Sequence, residues 1–154
     1  MLTFRAGTEK DVDIFFYWAN DKISRENSYN PLPIEYANHV DWFTKRINAE
    51  NFCFYVFLND QEKEIGQVRI EKNNELLEAI ISIVVGPDHR NKGYSSEMLL
   101  QATSDFISRN KGFKIIANIF KKNQASYKSF LKAGFSLIKE ENIKNVPSYI
   151  LCKQ

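Results

Sequence analysis

Cysteine is scarce in this chain. Cys53 and Cys152 are the only two, they form no CxxC, and the histidines are also two, His39 and His89. This leaves no disulfide framework and no metal-ligand cluster, so no metal is expected. An excess of one charge is lacking as well: 21 Lys and Arg face 19 Asp and Glu, a net charge of +2. Such a surface does not advertise nucleic acid or an anionic membrane as a main partner. No run approaches the ~18 apolar residues of a membrane span. The start, Met1-Leu2-Thr3-Phe4-Arg5, enters polar sequence without an apolar signal core. The expectation is a cytoplasmic protein. Glycine (6) and proline (4) stand singly, so no linker, repeat or low-complexity segment interrupts the chain. What remains is 154 residues, 44% hydrophobic and 26% charged, the balance of one soluble globular domain spanning 1–154. The unusual feature is aromatic placement: 13 of the 21 aromatic residues fall in the first 57 positions.

Periodicity sets an order of elements. Residues 2–7 read as a strand. Thr8 reads as an N-cap with Asp11 three residues on, and Val12, Phe15, Phe16 and Ala19 follow at helical spacing until Asn20-Asp21. A polar stretch, 24–30, leads past Pro31 and Pro33 to a second helix over about 34–47. Residues 52–58 and 64–71 read as a hairpin, and 76–85 as a nearly continuous apolar strand covered on both faces. A strong amphipathic helix follows over 94–109, then a strand at 113–120. A helix at 124–133 comes next, capped by Asn123 and stopped by Gly134. Two last strands are expected at 135–139 and 148–153. The order β-α-α-β-β-β-α-β-α-β-β implies a mixed α/β sheet with helices on its faces.

The most informative segment is Gly86-Pro87-Asp88-His89-Arg90-Asn91-Lys92-Gly93-Tyr94-Ser95. A buried strand ends, a basic turn follows and a helix begins. Consecutive N–H groups in such a turn form an anion nest, and the helix N-terminus adds its dipole and unpaired donors. Gly93 permits positive φ, Ser95 is small, and Arg90 and Lys92 add charge. These are the properties of a pyrophosphate site. It is neither GxxxxGK[ST] nor GxGxxG. Taken alone, the window also fits an ordinary strand-to-helix turn with solvated Gly and Lys.

Arg90-Asn91-Lys92-Gly93-Tyr94-Ser95 resembles the R/Q-x-x-G-x-G/A acyl-CoA loop of the GNAT N-acetyltransferases, with Ser in place of the last Gly or Ala. Asn123-Gln124-Ala125-Ser126-Tyr127-Lys128-Ser129-Phe130, running on to Gly134-Phe135, resembles the family's second motif, in the expected order and spacing. The resemblance implies a mixed, mostly antiparallel, twisted sheet of about seven strands with about four helices, and acetyl-CoA as cosubstrate. It implies pyrophosphate contacts from the backbone of Asn91 to Ser95 and pantetheine pairing along Ile83, Val84 and Val85. Asn123 would bond the cofactor arm, flanked by Ser126 and Tyr127. Asn123 is equally a helix cap, and Tyr127 equally a packing aromatic. Where the family often places a tyrosine acid, this chain has Phe130. A homodimer is suggested on family grounds alone.

Trp18-Ala19-Asn20-Asp21, Arg25-Glu26-Asn27-Ser28, Pro33-Ile34 and His39-Val40-Asp41-Trp42-Phe43 resemble a branch that acetylates UDP-linked amino-deoxy sugars in nonulosonic acid pathways. Ribosomal-protein N-terminal acetyltransferases share a looser version. On the sugar reading Tyr29, Trp42 and Phe43 would stack on apolar faces, while Asn20, Asn27 and His39 would read hydroxyls and phosphates. The aromatic residues also suit helix-on-sheet packing. The chemistry expected is direct attack of a neutral amine on the thioester. An N–H exposed by strand splay after Val84 or Val85 would act as oxyanion donor. His39 and Glu78 are the candidate bases, with Ser82 on the Glu78 face of the strand able to order a water. A peptide acetyltransferase and a non-catalytic acyl-CoA-binding module remain as alternatives.

Overall fold

The computed structural model describes residues 1–154. Seven strands form one sheet: β1 (Thr3–Ala6), β2 (Phe52–Leu58), β3 (Glu64–Asn73), β4 (Glu78–Val85), β5 (Lys114–Phe120), β6 (Ser136–Ile143) and β7 (Val146–Lys153). Their order is β1-β2-β3-β4-β5-β7-β6, and only the β4–β5 pair is parallel. The helices are α1 (Val12–Ala19), α2 (Lys22–Glu26), α3 (Tyr36–Arg46), α4 (Tyr94–Arg109) and α5 (Gln124–Lys132). The mixed, mostly antiparallel sheet is as expected.

Helices α4 and α5 cover one face. Met98, Leu99, Ala102 and Phe106 recur at helical spacing and are completely buried against Val68, Ile70 and Ile115. Each such large side chain contributes roughly 1.5–3 kcal/mol on leaving water. On the other face α1 and α3 lay Phe15, Trp18, Phe43 and Ile47 on Phe54 and Val56. The early aromatic cluster therefore builds a second core, which covers only the β1–β3 half and the end of β4. Gly66 lets α4 approach β3: a Cβ there would stand 2.4 Å from the Val84 carbonyl oxygen and 2.9 Å from Met98 Cε.

Three expectations about elements need correction. Strand β4 is not covered on both faces, because Ile80 is 43% exposed on the side that α1 and α3 do not reach. The polar stretch after Asn20 contains α2, started by Asp21, whose carboxylate accepts the Ser24 N–H at 3.2 Å. Finally, β6 and β7 are longer than expected and form one hairpin. Lys144 (φ 48°) and Asn145 (φ 65°) make a two-residue turn with both residues left-handed, a turn that no glycine announces.

His39 and Phe43 belong to helix packing. His39 is buried, with Nε2 2.8 Å from the Val12 carbonyl oxygen. Phe43 lies edge-on to Phe15 at 5.3 Å. Asn20, expected to read substrate, instead clamps the chain: its Nδ2 donates to the Ile34 carbonyl at 3.2 Å and its Oδ1 accepts the Ile34 N–H at 2.9 Å. Burial lowers the His39 pKa below its ordinary value, against opposing help from the Val12 carbonyl and Asp13. Burial and the nearby Lys63 and Lys92 lower His89 in the same direction. The unfolded chain thus binds more protons than the folded one around and below the ordinary histidine value. Stability is fully present above that value and falls as pH drops toward the folded pKa values. Thermal denaturation between pH 7 and pH 5 should show a falling Tm. His39→Gln, which can still donate to the Val12 carbonyl, should flatten part of that fall and leave the His89 part.

Candidate active site

Strands β4 and β5 pair only at Glu78–Lys114, Ala79–Ile115 and Ile80–Ile116. Beyond Ile80 they part, while β4 stays with β3 as far as Val85 and β5 stays with β7 as far as Phe120. The fork thus begins well before the Val84–Val85 position expected from sequence. The Gly86 N–H donates to the Ile65 carbonyl at 2.7 Å, in step with the β3–β4 register. Alternation along an antiparallel ladder then turns Ser82 and Val84 toward β3, and the N–H and C=O groups of Ile83 and Val85 toward the gap. A sheet interior seldom leaves such groups unpaired, because each costs free energy unless a partner arrives.

The gap opens into a cleft of 420 Å³. Its walls are Ile81–Val85 on one side and Asn118, Ile119 and Phe120 on the other. Residues His89–Ser95 and Asn123, Ala125, Ser126, Ser129 and Phe130 form its far end. Asn91 (φ 61°) and Gly93 (φ 78°) are both left-handed, and no side chain caps the start of α4. Gly93 has open space where a Cβ would go, so backbone conformation and not crowding calls for glycine. The uncapped N–H groups of α4 and the turn before it form a ready anion cradle. No carboxylate lines the cleft.

The sequence-predicted cofactor residues are brought together with one exception. Ile83, Val84, Val85, Arg90, Asn91, Lys92, Gly93, Tyr94, Ser95, Asn123, Ser126 and Phe130 all line the cleft. Tyr127 does not: it stacks on Tyr149 at 4.2 Å. Arg90 is not a free cation at the cradle, since its guanidinium binds the Asp21 carboxylate at 2.6 Å and thereby fixes α2 as a wall. Burial works to raise the Asp21 pKa, but the Arg90 hydrogen bond and the Ser24 N–H outweigh it and hold the group below its ordinary value. Asn123 caps α5, accepting the Ser126 N–H at 3.3 Å, while facing the cleft. Phe130 is buried, edge-on to Phe135 at 5.0 Å, and offers no acid.

The acceptor and base candidates divide. Ser82 and Asn27 line the cleft. Tyr29 does not, but its hydroxyl is 2.7 Å from Ser148 Oγ and its ring meets Phe120 at 4.7 Å, so it straps the 27–34 loop over the β5 side. Trp42 holds Arg69 over its ring at 4.9 Å and Arg46 at 5.2 Å, and these cations occupy the surface expected to stack on a ligand. Glu78 lies at the far end of β4, in a separate hollow with Glu71 and Ile80. Neither His39 nor Glu78 reaches the cleft. Sequence reasoning missed α2, whose Ile23 and Ser24 form a wall, and Asn118 on β5; only the Asp21 cap signalled the first.

A forked sheet with an unpaired strand edge running into an uncapped helix N-terminus defines a site for an extended cosubstrate with an anionic head, the arrangement of an acyl-CoA transferase. A family profile described as acetyltransferase (GNAT) domain matches residues 1–136. The chain therefore belongs to the GNAT acetyltransferase family: it is an acetyl-CoA-dependent N-acetyltransferase. Among solved structures it is similar to spermidine N-acetyltransferase from Vibrio cholerae bound to CoA and spermine. That match has a TM-score of 0.86 at 18% identity, covering 99% of this chain and 94% of that one. A dodecameric form of the Vibrio cholerae enzyme matches with TM-score 0.80 at 19% identity, over 99% and 92% of the two chains. A protein assigned as a phosphinothricin N-acetyltransferase matches with TM-score 0.80 at 22% identity, over 100% and 98%. At these identities the likeness is one of fold. No curated protein matches the chain.

Ser95 sits in the first turn of α4, its Oγ 2.7 Å from Ser129 Oγ. Ser95→Glu should separate folding from binding. A carboxylate there favours the helix dipole by roughly 0.3–1 kcal/mol, yet repels a diphosphate. Calorimetry should show acetyl-CoA affinity falling about tenfold or more, with Tm changed little, since the dipole gain offsets the lost Ser129 hydrogen bond.

Proposed function

We propose that this enzyme moves the acetyl group of acetyl-CoA to the primary amine of a small acceptor, and that the acceptor is a nucleotide-linked amino-deoxy sugar handled in the cytoplasm. The observation that carries the transfer reading is the fork after Ile80 and Ile116, which leads to the uncapped start of α4. The diphosphate of acetyl-CoA rests on the Asn91–Ser95 backbone, and its arm runs along the Ile83–Val85 edge. Acetyl-CoA supplies an activated thioester. The free N–H groups of that edge hold and polarise its carbonyl oxygen, and the cleft walls keep the amine close to it. What supports a sugar is the wall opposite the strand edge. Asn27 and Asn118 offer hydrogen bonds suited to hydroxyls, and Phe120, backed by Tyr29, offers an apolar face. The homodimer suggested by the resemblance belongs to this proposal too; the similar Vibrio cholerae enzyme assembles as a dodecamer.

No carboxylate lines the cleft, and its one histidine, His89, lies beyond the end of β4, on the cradle side. Ser82 is the one member of the expected catalytic set at the cleft. It can order a water but cannot take a proton at neutral pH. The amine must therefore be neutral when it attacks, losing its proton to solvent.

A thiol-release assay with acetyl-CoA tests the function. UDP-4-amino sugars should turn over faster than N-terminal peptides and spermidine. Faster turnover of peptides would move the assignment to the protein acetyltransferases, and thermal stabilisation by acetyl-CoA without release to any amine would leave a binding module. The pH profile checks the missing base: kcat/KM should rise about tenfold per pH unit up to the acceptor amine's own pKa. His39→Gln and Glu78→Gln should leave that profile in place.

A further inference from the structure

On the face that α1 and α3 cover, β3 carries two polar side chains without hydrogen-bond partners, Gln67 and Arg69. Gln67 is 7% exposed, and its Oε1 is buried without a hydrogen-bond partner. Two residues on, Arg69 points to the same face. Its guanidinium is half-buried under the Trp42 ring, 4.9 Å from the ring centroid. It forms no ion pair and no hydrogen bond within the protein; its contact is the Trp42 ring. The exposed Glu71 attracts it without forming an ion pair, while Arg46 repels it. Burial holds the Arg69 pKa down to about 10. The side chain is still a cation at neutral pH.

This pair lies beside the reacting end of the cleft. Arg69 is the cross-strand partner of Ser82, and Gln67 that of Val84. Ser82 and Val84 line the cleft just past the fork, where the arm of the cosubstrate must end. The buried Gln67 oxygen without a partner is costly, and the half-buried Arg69 guanidinium has N–H donors free to take one. Both are satisfied by a molecule that brings an oxyanion to Arg69 and an N–H or O–H donor to Gln67. The guanidinium fork matches a carboxylate, phosphonate or phosphate geometrically.

We propose that Arg69, with Gln67 beside it, anchors the acceptor by an oxyanion carried on the same molecule as the amine to be acetylated. The inference rests on the transferase reading of the cleft and sharpens it. The acceptor class is an anionic amine, and a polycation such as spermidine is disfavoured by Arg69 and Arg46 together. The oxyanion can come from a nucleotide diphosphate or from a small amino acid or aminophosphonate.

The test uses the full chain with Arg69→Gln and Arg69→Lys. Acceptors are a UDP-4-amino sugar, L-glutamate, 2-aminoethylphosphonate and spermidine. Arg69→Gln should raise KM for the productive oxyanion-bearing acceptor about tenfold or more, with KM for acetyl-CoA unchanged. Arg69→Lys should recover part of the loss. The productive acceptor tells which source supplies the anion. In parallel, thermal shift with saturating coenzyme A should show that UDP or 2-aminoethylphosphonate stabilises the wild type and not Arg69→Gln. That stabilisation without release to any amine would sink the transferase reading and still support the anchor. An unchanged acceptor KM in Arg69→Gln, spermidine as the best acceptor, or no Arg69-dependent stabilisation by either probe would overturn the proposal.

Discussion

The structure is organised around a ladder that stops early. Three residue pairs join β4 to β5, and then each strand follows its outer neighbour, β4 with β3 and β5 with β7. In a closed sheet the unpaired N–H and C=O groups beyond Ile80 would be a defect. Here they form the wall of a cleft whose mouth is the uncapped start of α4. Helices α4 and α5 bridge both arms of the fork on one face, packing on β3 and β5 alike, while α1 and α3 cover only the β1–β3 half of the other face. A chain that needs an extended, anionic cosubstrate to complete its hydrogen bonding gains stability and function from the same molecule.

The far side of the cleft depends on tethers between segments distant in sequence. Arg90 reaches Asp21, Tyr29 reaches Ser148, and Asn20 closes on Ile34. Together they pin the α2 segment and the loop after it across both arms of the fork. Arg90 thereby serves the site through its architecture, while the cradle itself is made of backbone. The acceptor side is less complete. Gln67 Oε1 and the Arg69 guanidinium stand without hydrogen-bond partners, on the strand beside Ser82.

The acetyl-CoA side was legible because its chemistry is local. A strand, a turn with Gly93, a helix, and a second helix opened by Asn123 occupy two short windows, and backbone geometry within each window makes the site. The acceptor side was not legible in the same way. His39, Phe43 and Trp42 have the chemistry of ligand contacts, yet amphipathic helices bring the same residue types to a core, and packing claims the first two while two arginines claim the third. Glu78 shares a face with Ser82 but sits at the other end of the strand, because period-two alternation fixes the face and not the position along it.

Sequence alone thus determined the order of the main elements, the two motifs and the family, since these follow from periodicity and from turn chemistry within a few residues. Tertiary structure decided where β4 and β5 part, what Arg90 binds, which aromatics are core and which cation is left unpaired. These turn on partners supplied by remote segments: Ser148 for Tyr29, Asp21 for Arg90, Val12 for His39, and the Trp42 ring for Arg69. Pairing across such distances is set by the whole packed fold, and no local pattern of residues encodes it.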